Sequence, residues 1–377
     1  MGLGQSVEDL YFPQKVKLGQ GGFGTVWRAI DRKTNRFVAV KQIDKLKAYW
    51  QGAKRSELLM EIDILRACNH LNVTKLYNCF EDSATISIAM EYCDGGDLDD
   101  KLKERGWKVP EEQAARWMHQ ICSAIGHLHA RNICHRDIKP GNFMLAMDVL
   151  KLSDFGFATF LKKEETSMED VGTPAFMAPE QHLLKKGSRS GYGHPVDVWA
   201  AGCTLHMLIS GGRHPFVKGK STLDMPNLLE GNLDFGLSMF GDLMGSETPA
   251  RSLCRRMVCP DLKTRLTIEE TLTDPWLQAS VLDAGLQPSR VLQDLGGDPA
   301  ERYQQLEQQL LLAEKQLKEA EERELSLKSK LQKQEDSVVL ISIPITLPEC
   351  MNRCTSCTSF GRGSERLDRE RVMKYQK

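Results

Sequence analysis

His135-Arg136-Asp137-Ile138-Lys139-Pro140-Gly141-Asn142 gathers a carboxylate, a cation and a carboxamide into one short run, and Asp154-Phe155-Gly156 follows twelve residues after Asn142. A lone Asp-Phe-Gly is ordinarily just a turn. Here it follows Leu150-Lys151-Leu152, whose alternation reads as a strand. Upstream of this pair lie Gly19-Gln20-Gly21-Gly22-Phe23-Gly24-Thr25-Val26 and Val38-Ala39-Val40-Lys41, and downstream lies Ala178-Pro179-Glu180. Each stretch alone is weak; the fixed order of all five is specific.

The chemistry of each stretch follows from its residue types. Glycines let backbone approach a triphosphate closely and turn N–H groups toward its oxygens. A dinucleotide-binding turn uses the same glycine spacing but opens a helix, whereas Thr25-Val26-Trp27 is β-forming. Lys15-Val16-Lys17-Leu18 and Thr25-Val26-Trp27-Arg28-Ala29 therefore flank the glycines as a hairpin. Strand alternation puts Ala39 and Lys41 on one face, where Ala39 is small enough to lie over an adenine and Lys41 reaches the α- and β-phosphates. A helix around Lys54 to Ala67 carries Leu58, Glu61, Ile62 and Leu65 on one face, which makes Glu61 the expected ion partner of Lys41. Asp137 is placed to orient or accept a hydroxyl proton, and Lys139 to neutralise a transferring phosphoryl group. Asn142 and Asp154 are the hard oxygen ligands that Mg²⁺ prefers.

The five stretches together resemble the protein kinase family, over residues from about 11 to 277. The resemblance implies an α+β, two-lobed protein kinase fold. It has a small antiparallel β-sheet lobe plus one helix (about 11–94) and a larger, mainly helical lobe (about 95–278). It also implies ATP and Mg²⁺ as cofactors and proteins with Ser or Thr acceptors as partners, in intracellular signalling. His-Arg-Asp-x-Lys with Gly172-Thr173-Pro174 indicates the serine/threonine type. By the same resemblance Leu18, Gly19, Gln20, Gly21, Gly22, Phe23, Gly24 and Val26 cover ATP, Met90 is the gatekeeper, and Glu91 and Cys93 bond adenine through backbone. Val26, Ala39 and Met144 sandwich the base, and Asp97 lies near the ribose. Leu65, Leu76, His135 and Phe155 match the hydrophobic stack of active kinases, and Glu180 with Arg265 a buried ion pair. Asp197-Val198-Trp199 and Asp274-Pro275-Trp276-Leu277 look most like the calcium/calmodulin-dependent group.

Two departures from the family pattern carry expectations. Three residues before Gly172, where many kinases hold an activating phosphothreonine, stands Glu169, and Arg136 is available to pair with it. A permanent carboxylate would then order the activation loop, Thr173 included, without phosphorylation; the alternative is phosphorylation of Thr166, Ser167 or Thr173. Gly141 stands where basophilic kinases often carry an acid, while Asp97 is retained, so a mild preference for Arg at −3 is expected.

The bulk numbers agree with one large two-lobed domain and an appendage. The chain has 377 residues, 41% of them hydrophobic, with a net charge of −1, which gives no general attraction to nucleic acid. Eight of eleven cysteines are scattered before residue 260, a pattern expected of reduced thiols in a cytoplasmic protein. No apolar run is long enough to cross a bilayer. Met1-Gly2-Leu3-Gly4-Gln5-Ser6 fits the N-myristoylation pattern within the 1–10 segment, or is simply a small start. Residues 279–299 read as a linker. From about 300 to 336 a charged helix carries Leu306, Leu310, Ala313, Leu317, Ala320, Leu327 and Leu331, interrupted by Glu324. That seam suits either a coiled coil for self-association or a partner helix, or a single helix folded back on the domain. The tail, 337–377, holds Cys350, Cys354 and Cys357 and reads as poorly ordered; Lys185-Lys186-Gly187-Ser188-Arg189 reads as a solvated or basic docking loop. The rival from another class is a catalytically silent nucleotide-binding scaffold working through the coiled coil.

Overall fold

The computed structural model describes residues 6–21, 24–146, 149–184, 190–219, 221–236 and 247–283. Gly2, Gly22, Phe23, the loop 185–189, the helix expected at 300–336 and the Cys-containing tail lie outside the described residues.

The smaller lobe is one antiparallel sheet of Tyr11–Gln20 (β1), Gly24–Asp31 (β2), Phe37–Asp44 (β3), Leu76–Glu81 (β4) and Thr85–Glu91 (β5), in the order β1-β2-β3-β5-β4. Register sets Val26 opposite Lys41 and Ala39 opposite Met90, so all four share one face, as alternation predicts. The opposite face buries Tyr11, Ala29, Val38, Val40 and Ala89 under Val7 and Leu10 of a short helix, Val7–Leu10 (α1).

Sequence reading gives this lobe one helix, and the structure adds two more. One is α1. The other is Lys45–Trp50 (α2), which starts where the Asp44 carboxylate accepts the Lys47 N–H at 3.0 Å. Such short helices leave little periodic signal, and caps alone mark them. The expected helix runs Arg55–Ala67 (α3) and buries Leu58, Glu61, Ile62 and Leu65 on the face that spacing assigns.

The larger lobe is built from Leu98–Glu104 (α4), Glu111–His129 (α5), Pro179–Leu184 (α6), Pro195–Ile209 (α7), Met225–Glu230 (α8), Pro249–Met257 (α9), Ile268–Leu272 (α10) and Pro275–Asp283 (α11). Short strand pairs interrupt it: Ile133–Cys134 (β6) with Thr159–Phe160 (β9), Phe143–Ala146 (β7) with Val149–Leu152 (β8), and Val217–Lys218 (β10) with Thr222–Leu223 (β11). Pro110 is the N-cap of α5. Helix α11 continues past Gln278 to Asp283, into the expected linker, because no Gly or Pro intervenes before Gly285.

Helix α7 is apolar nearly all round, and every residue from Val196 to Ile209 is buried. Trp199 stacks on Phe216 with ring centroids 5.5 Å apart. Each large apolar side chain buried this way contributes about 1.5–3 kcal/mol. The free thiols of Cys122, Cys134, Cys203 and Cys254 are buried in the same core. This core is continuous from α3 through α5 to α7 and α9, and it supports the loops that carry the site.

Candidate active site

Lys41 is the cation between the lobes. Its Nζ donates to Glu61 Oε1 at 2.6 Å and Oε2 at 2.9 Å, and lies 3.5 Å from Asp154 Oδ1. Burial alone would lower the Lys41 pKa, but the Glu61 and Asp154 carboxylates outweigh it and hold the ammonium charged. The same exchange holds Asp154 ionised: desolvation opposes the charge, and Lys41 overcomes it. Glu61 is 5% exposed, so its pairing is an internal one.

Asp137 is fixed from three sides. Thr173 donates its backbone N–H and its hydroxyl to Oδ1 at 2.8 and 2.6 Å. Lys139 Nζ and the Asn142 side-chain amide donate to Oδ2 at 2.8 and 3.0 Å, and Lys139 also reaches the Thr173 hydroxyl at 2.7 Å. With its nitrogen committed to Asp137, the Asn142 side chain has its oxygen to offer a cation. Ser153 N–H and hydroxyl both donate to the Asn142 carbonyl, at 2.8 and 2.9 Å, which draws Asp154 toward Asn142. Asp154 itself has φ +57°, and its side chain is 58% exposed toward the cleft. Among the described residues no group of three or more His, Cys, Asp or Glu side chains forms a closed metal cage. Two hard oxygen donors opening onto a cleft fit a cation that shares its shell with phosphates.

The catalytic loop hangs from α7. Asp197, 1% exposed, accepts the backbone N–H groups of His135 and Arg136 at 2.9 and 2.8 Å and the His129 ring at 3.0 Å. Burial would raise its pKa, but these hydrogen bonds and the neighbouring histidines pull it down to about 2. Sequence reading used Asp197 only as a subgroup mark and missed this role. The available signal was an acid within an otherwise apolar helix, a position that needs a buried partner.

Arg136, φ +67°, turns its side chain into the activation segment. Its guanidinium reaches Glu169 Oε2 at 2.6 Å, the Ser167 hydroxyl at 3.0 Å and the Phe157 carbonyl at 2.6 Å. Tyr192 donates its hydroxyl to the Glu169 carbonyl at 2.7 Å, which pins the segment to the chain before α7. Glu180 and Arg265 form a two-pronged pair at 2.6 and 3.0 Å, with Arg265 also donating to the carbonyls of Cys259 and Pro195.

The cleft roof is Gly24 and its neighbours. A Cβ on Gly24 would stand 1.9 Å from the Gln42 carbonyl oxygen, so β2 can lie this close to β3 only with glycine there. Gln20 closes the loop through its amide to the Gly24 carbonyl at 2.9 Å and the Thr25 hydroxyl at 3.0 Å, and Gly21 N–H reaches the Gly24 carbonyl at 2.9 Å. Gly19 is open to solvent on its Cβ side, and Leu18 is exposed.

Val26 and Ala39 lie on the same face of the sheet as Lys41, and Met144 lies on β7, bridged to Asp97. Glu91 spends its N–H on the Lys75 carbonyl at 2.9 Å and its carboxylate on Lys151 at 2.9 Å, a pairing that sequence reading missed; its carbonyl is what it can offer a base. Burial, and then Glu91, push the Cys93 thiol up to about 12. Asp97 caps α4, accepting the Asp100 N–H at 2.9 Å. Phe155 and His135 meet edge to face at 5.1 Å, in the core that also holds Leu65 and the partly buried Leu76.

Comparison with known proteins agrees with this geometry. Residues 12–277 match the family described as protein kinase domain. Calcium-dependent protein kinase 11 of Oryza sativa subsp. japonica is 36% identical over 276 residues, covering 72% of this chain and 46% of its own length. Serine/threonine-protein kinase DCLK3 of Mus musculus is 36% identical over 268 residues, 69% of this chain and 32% of that protein. A probable serine/threonine-protein kinase, fhkC of Dictyostelium discoideum, is 32% identical over 263 residues, 69% and 43% of the two chains. The chain spans less than half the length of these curated relatives.

Proposed function

We propose that this chain, which belongs to the protein kinase family and is a protein serine/threonine kinase, transfers the γ-phosphate of Mg-ATP to Ser and Thr hydroxyls of proteins in intracellular signalling. The observation that carries the reading is the Asp137 carboxylate, held by Thr173 on one oxygen and by Lys139 and Asn142 on the other. ATP would bring the phosphoryl group, and Mg²⁺ would neutralise charge on the phosphates.

The chain's own residues do the positioning. The backbone around Gly19, Gly21 and Gly24 would cradle the phosphates, and Val26, Ala39 and Met144 would hold the base. Asn142 and Asp154 would hold the metal. Lys41, kept charged beside Glu61, would meet the α- and β-phosphates. Asp137 receives the proton of the acceptor hydroxyl, a contribution of roughly 10²–10⁴-fold for a positioned base. Lys139 keeps a cation beside the forming bond. Arg136 paired with Glu169 supports an activation segment ordered by a carboxylate in place of a phosphate.

The test is transfer from Mg-ATP to a generic Ser/Thr protein substrate by the purified chain, beside Asp137→Asn. Transfer by the wild type alone, surviving phosphatase treatment, is the expected result. Nucleotide binding without transfer would establish the silent scaffold instead. Loss of transfer after phosphatase treatment would overturn the Glu169 reading.

A further inference from the structure

Two walls flank Asp137. One is α4, whose Asp99 lies beside the catalytic loop: a Cβ on Gly141 would stand 4.0 Å from the Asp99 Cβ. The other is the turn Pro174–Phe176 and Met177, which follows directly on Thr173, the residue bonded to Asp137. The two walls belong to separate parts of the chain. They meet through the loop from Ser210 to Phe216.

The connection begins at the end of α4. Gly106 N–H bonds the Lys103 carbonyl at 2.9 Å and Trp107 N–H bonds the Leu102 carbonyl at 2.8 Å, the paired bonds of a Schellman cap. Gly106 takes φ +57°, as that cap requires, but Trp107 follows with φ +58°. A bulky aromatic in the left-handed region is strained and persists only where its surroundings hold it. What holds Trp107 is Gly212: a Cβ there would stand 2.6 Å from three atoms of the indole ring, so the ring lies flush on bare backbone. Gly212 itself has φ +83°.

From Gly212 the loop continues to the second wall. His214 meets Phe176 edge to face, centroids 4.9 Å apart at 89°. Its Nδ1 accepts the Phe216 N–H at 3.1 Å, so the neutral ring carries its proton on Nε2, a buried atom with no hydrogen-bond partner. The loop is anchored from below as well. Gly212 N–H bonds the Met207 carbonyl at 2.8 Å, and the His206 ring lies between the carbonyls of Arg213, at 2.9 Å, and Asp234, at 3.0 Å. A strained residue, a glycine-only contact and a ring-on-ring contact thus run in series from α4 to the turn at Phe176.

We infer that Trp107, seated on Gly212, is a positioning residue that fixes the spacing of the two walls of the peptide groove and so sets how well a protein substrate binds, without touching substrate or nucleotide. The inference rests on the kinase reading above and adds to it a determinant for the peptide alone. Trp107→Gly removes the ring and also relaxes the left-handed backbone, so it separates the contact from the strain. Trp107→Phe keeps an aromatic on Gly212.

The experiment measures KM for ATP, kcat, and KM for the best Ser peptide of a degenerate array, for the wild type and both variants. For Trp107→Gly the expected result is a peptide KM raised about tenfold with ATP KM and kcat unchanged, and recovery in Trp107→Phe. A peptide KM within about twofold of wild type, or equal losses in ATP and peptide KM, would overturn it. Hydrogen exchange on the same proteins supplies a readout independent of activity. The brace requires faster exchange in Trp107→Gly at both 98–104 and 174–177. Faster exchange confined to 104–110 would overturn it, even were the wild type to transfer no phosphate, an outcome that would count against the kinase reading instead.

Discussion

The cleft and the floor of the larger lobe both depend on paired charges, but the pairs are of different kinds. Facing the cleft, Lys41, Asp154 and Glu169 are held by other side chains, and the latter two side chains are 58% and 64% exposed. In the floor, the Asp197 side chain is 1% exposed and tied mainly to backbone N–H groups, while Arg265, 0% exposed, divides its bonds between the Glu180 carboxylate and two backbone carbonyls. A charge held by a side chain can exchange that partner for a phosphate or a metal. A charge held by backbone cannot, and instead fixes the path of the loop that binds it. Cleft charges should therefore control rate with little effect on stability, and floor charges the reverse.

Asp154→Asn is the sharpest test of that division. Transfer is expected to fall at least about 10²-fold, as for loss of one preorganised electrostatic group, with the melting temperature within about 2 °C of wild type. A large loss of stability would show that cleft charges also hold the fold. Arg265→Ala should do the opposite. Leaving Glu180 unpaired in a buried setting is expected to cost about 3–5 kcal/mol, a drop of roughly 10 °C in melting temperature. Protein that survives folding should keep its KM for ATP.

The larger lobe also encloses histidines, and acid titration reads them. Burial lowers His206 and His214 to about 4, and partial burial beside Arg131 and His70 does the same for His127, so all three are neutral in the folded chain, while the unfolded chain takes up protons near pH 6.5. Their stabilisation is therefore complete above about pH 6.5 and is lost as pH falls toward 4. For His206 alone this amounts to about 3 kcal/mol. Asp197, held at about 2, loses its contribution only below the ordinary carboxylate range, between about pH 4 and 2. Melting temperature should start to fall near pH 6.5, and His206→Gln should flatten that first descent. A curve flat to pH 4 would contradict it. The smallest effect is expected of Glu169→Gln, which keeps a hydrogen bond to Arg136 but removes the charge: a loss of activity of about tenfold, narrowing at high ionic strength, where the wild-type pair is screened.

What the sequence made legible was chemistry carried by consecutive residues. The structure brings Lys41 to Glu61 and Asp154, and Asp137 to Lys139 and Asn142, residues that the motifs, together with the helical spacing of Glu61, single out. Pairings across long separations were legible only where resemblance supplied them, as for Glu180 with Arg265. The hydroxyl of Thr173 on Asp137 and the pairing of Glu91 with Lys151 carry no local pattern, because each depends on which loops the core brings together; Asp197 stands out as an acid in an apolar helix, but its partners do not. Helices α1 and α2 were missed for a different reason. Each is too short for a period to register.

The thiols enclosed by the larger lobe give the molecule a built-in clock. Cys122 on α5, Cys203 on α7 and Cys254 on α9 are inaccessible, and burial holds each of them protonated at neutral pH. An alkylating reagent can reach them only when these helices part. Their modification rate therefore counts global openings of this lobe, whereas loosening of the glycine loop or the activation segment leaves it unchanged. Slower labelling on adding nucleotide would measure how much of the binding energy made in the cleft is transmitted to a core that no ligand touches.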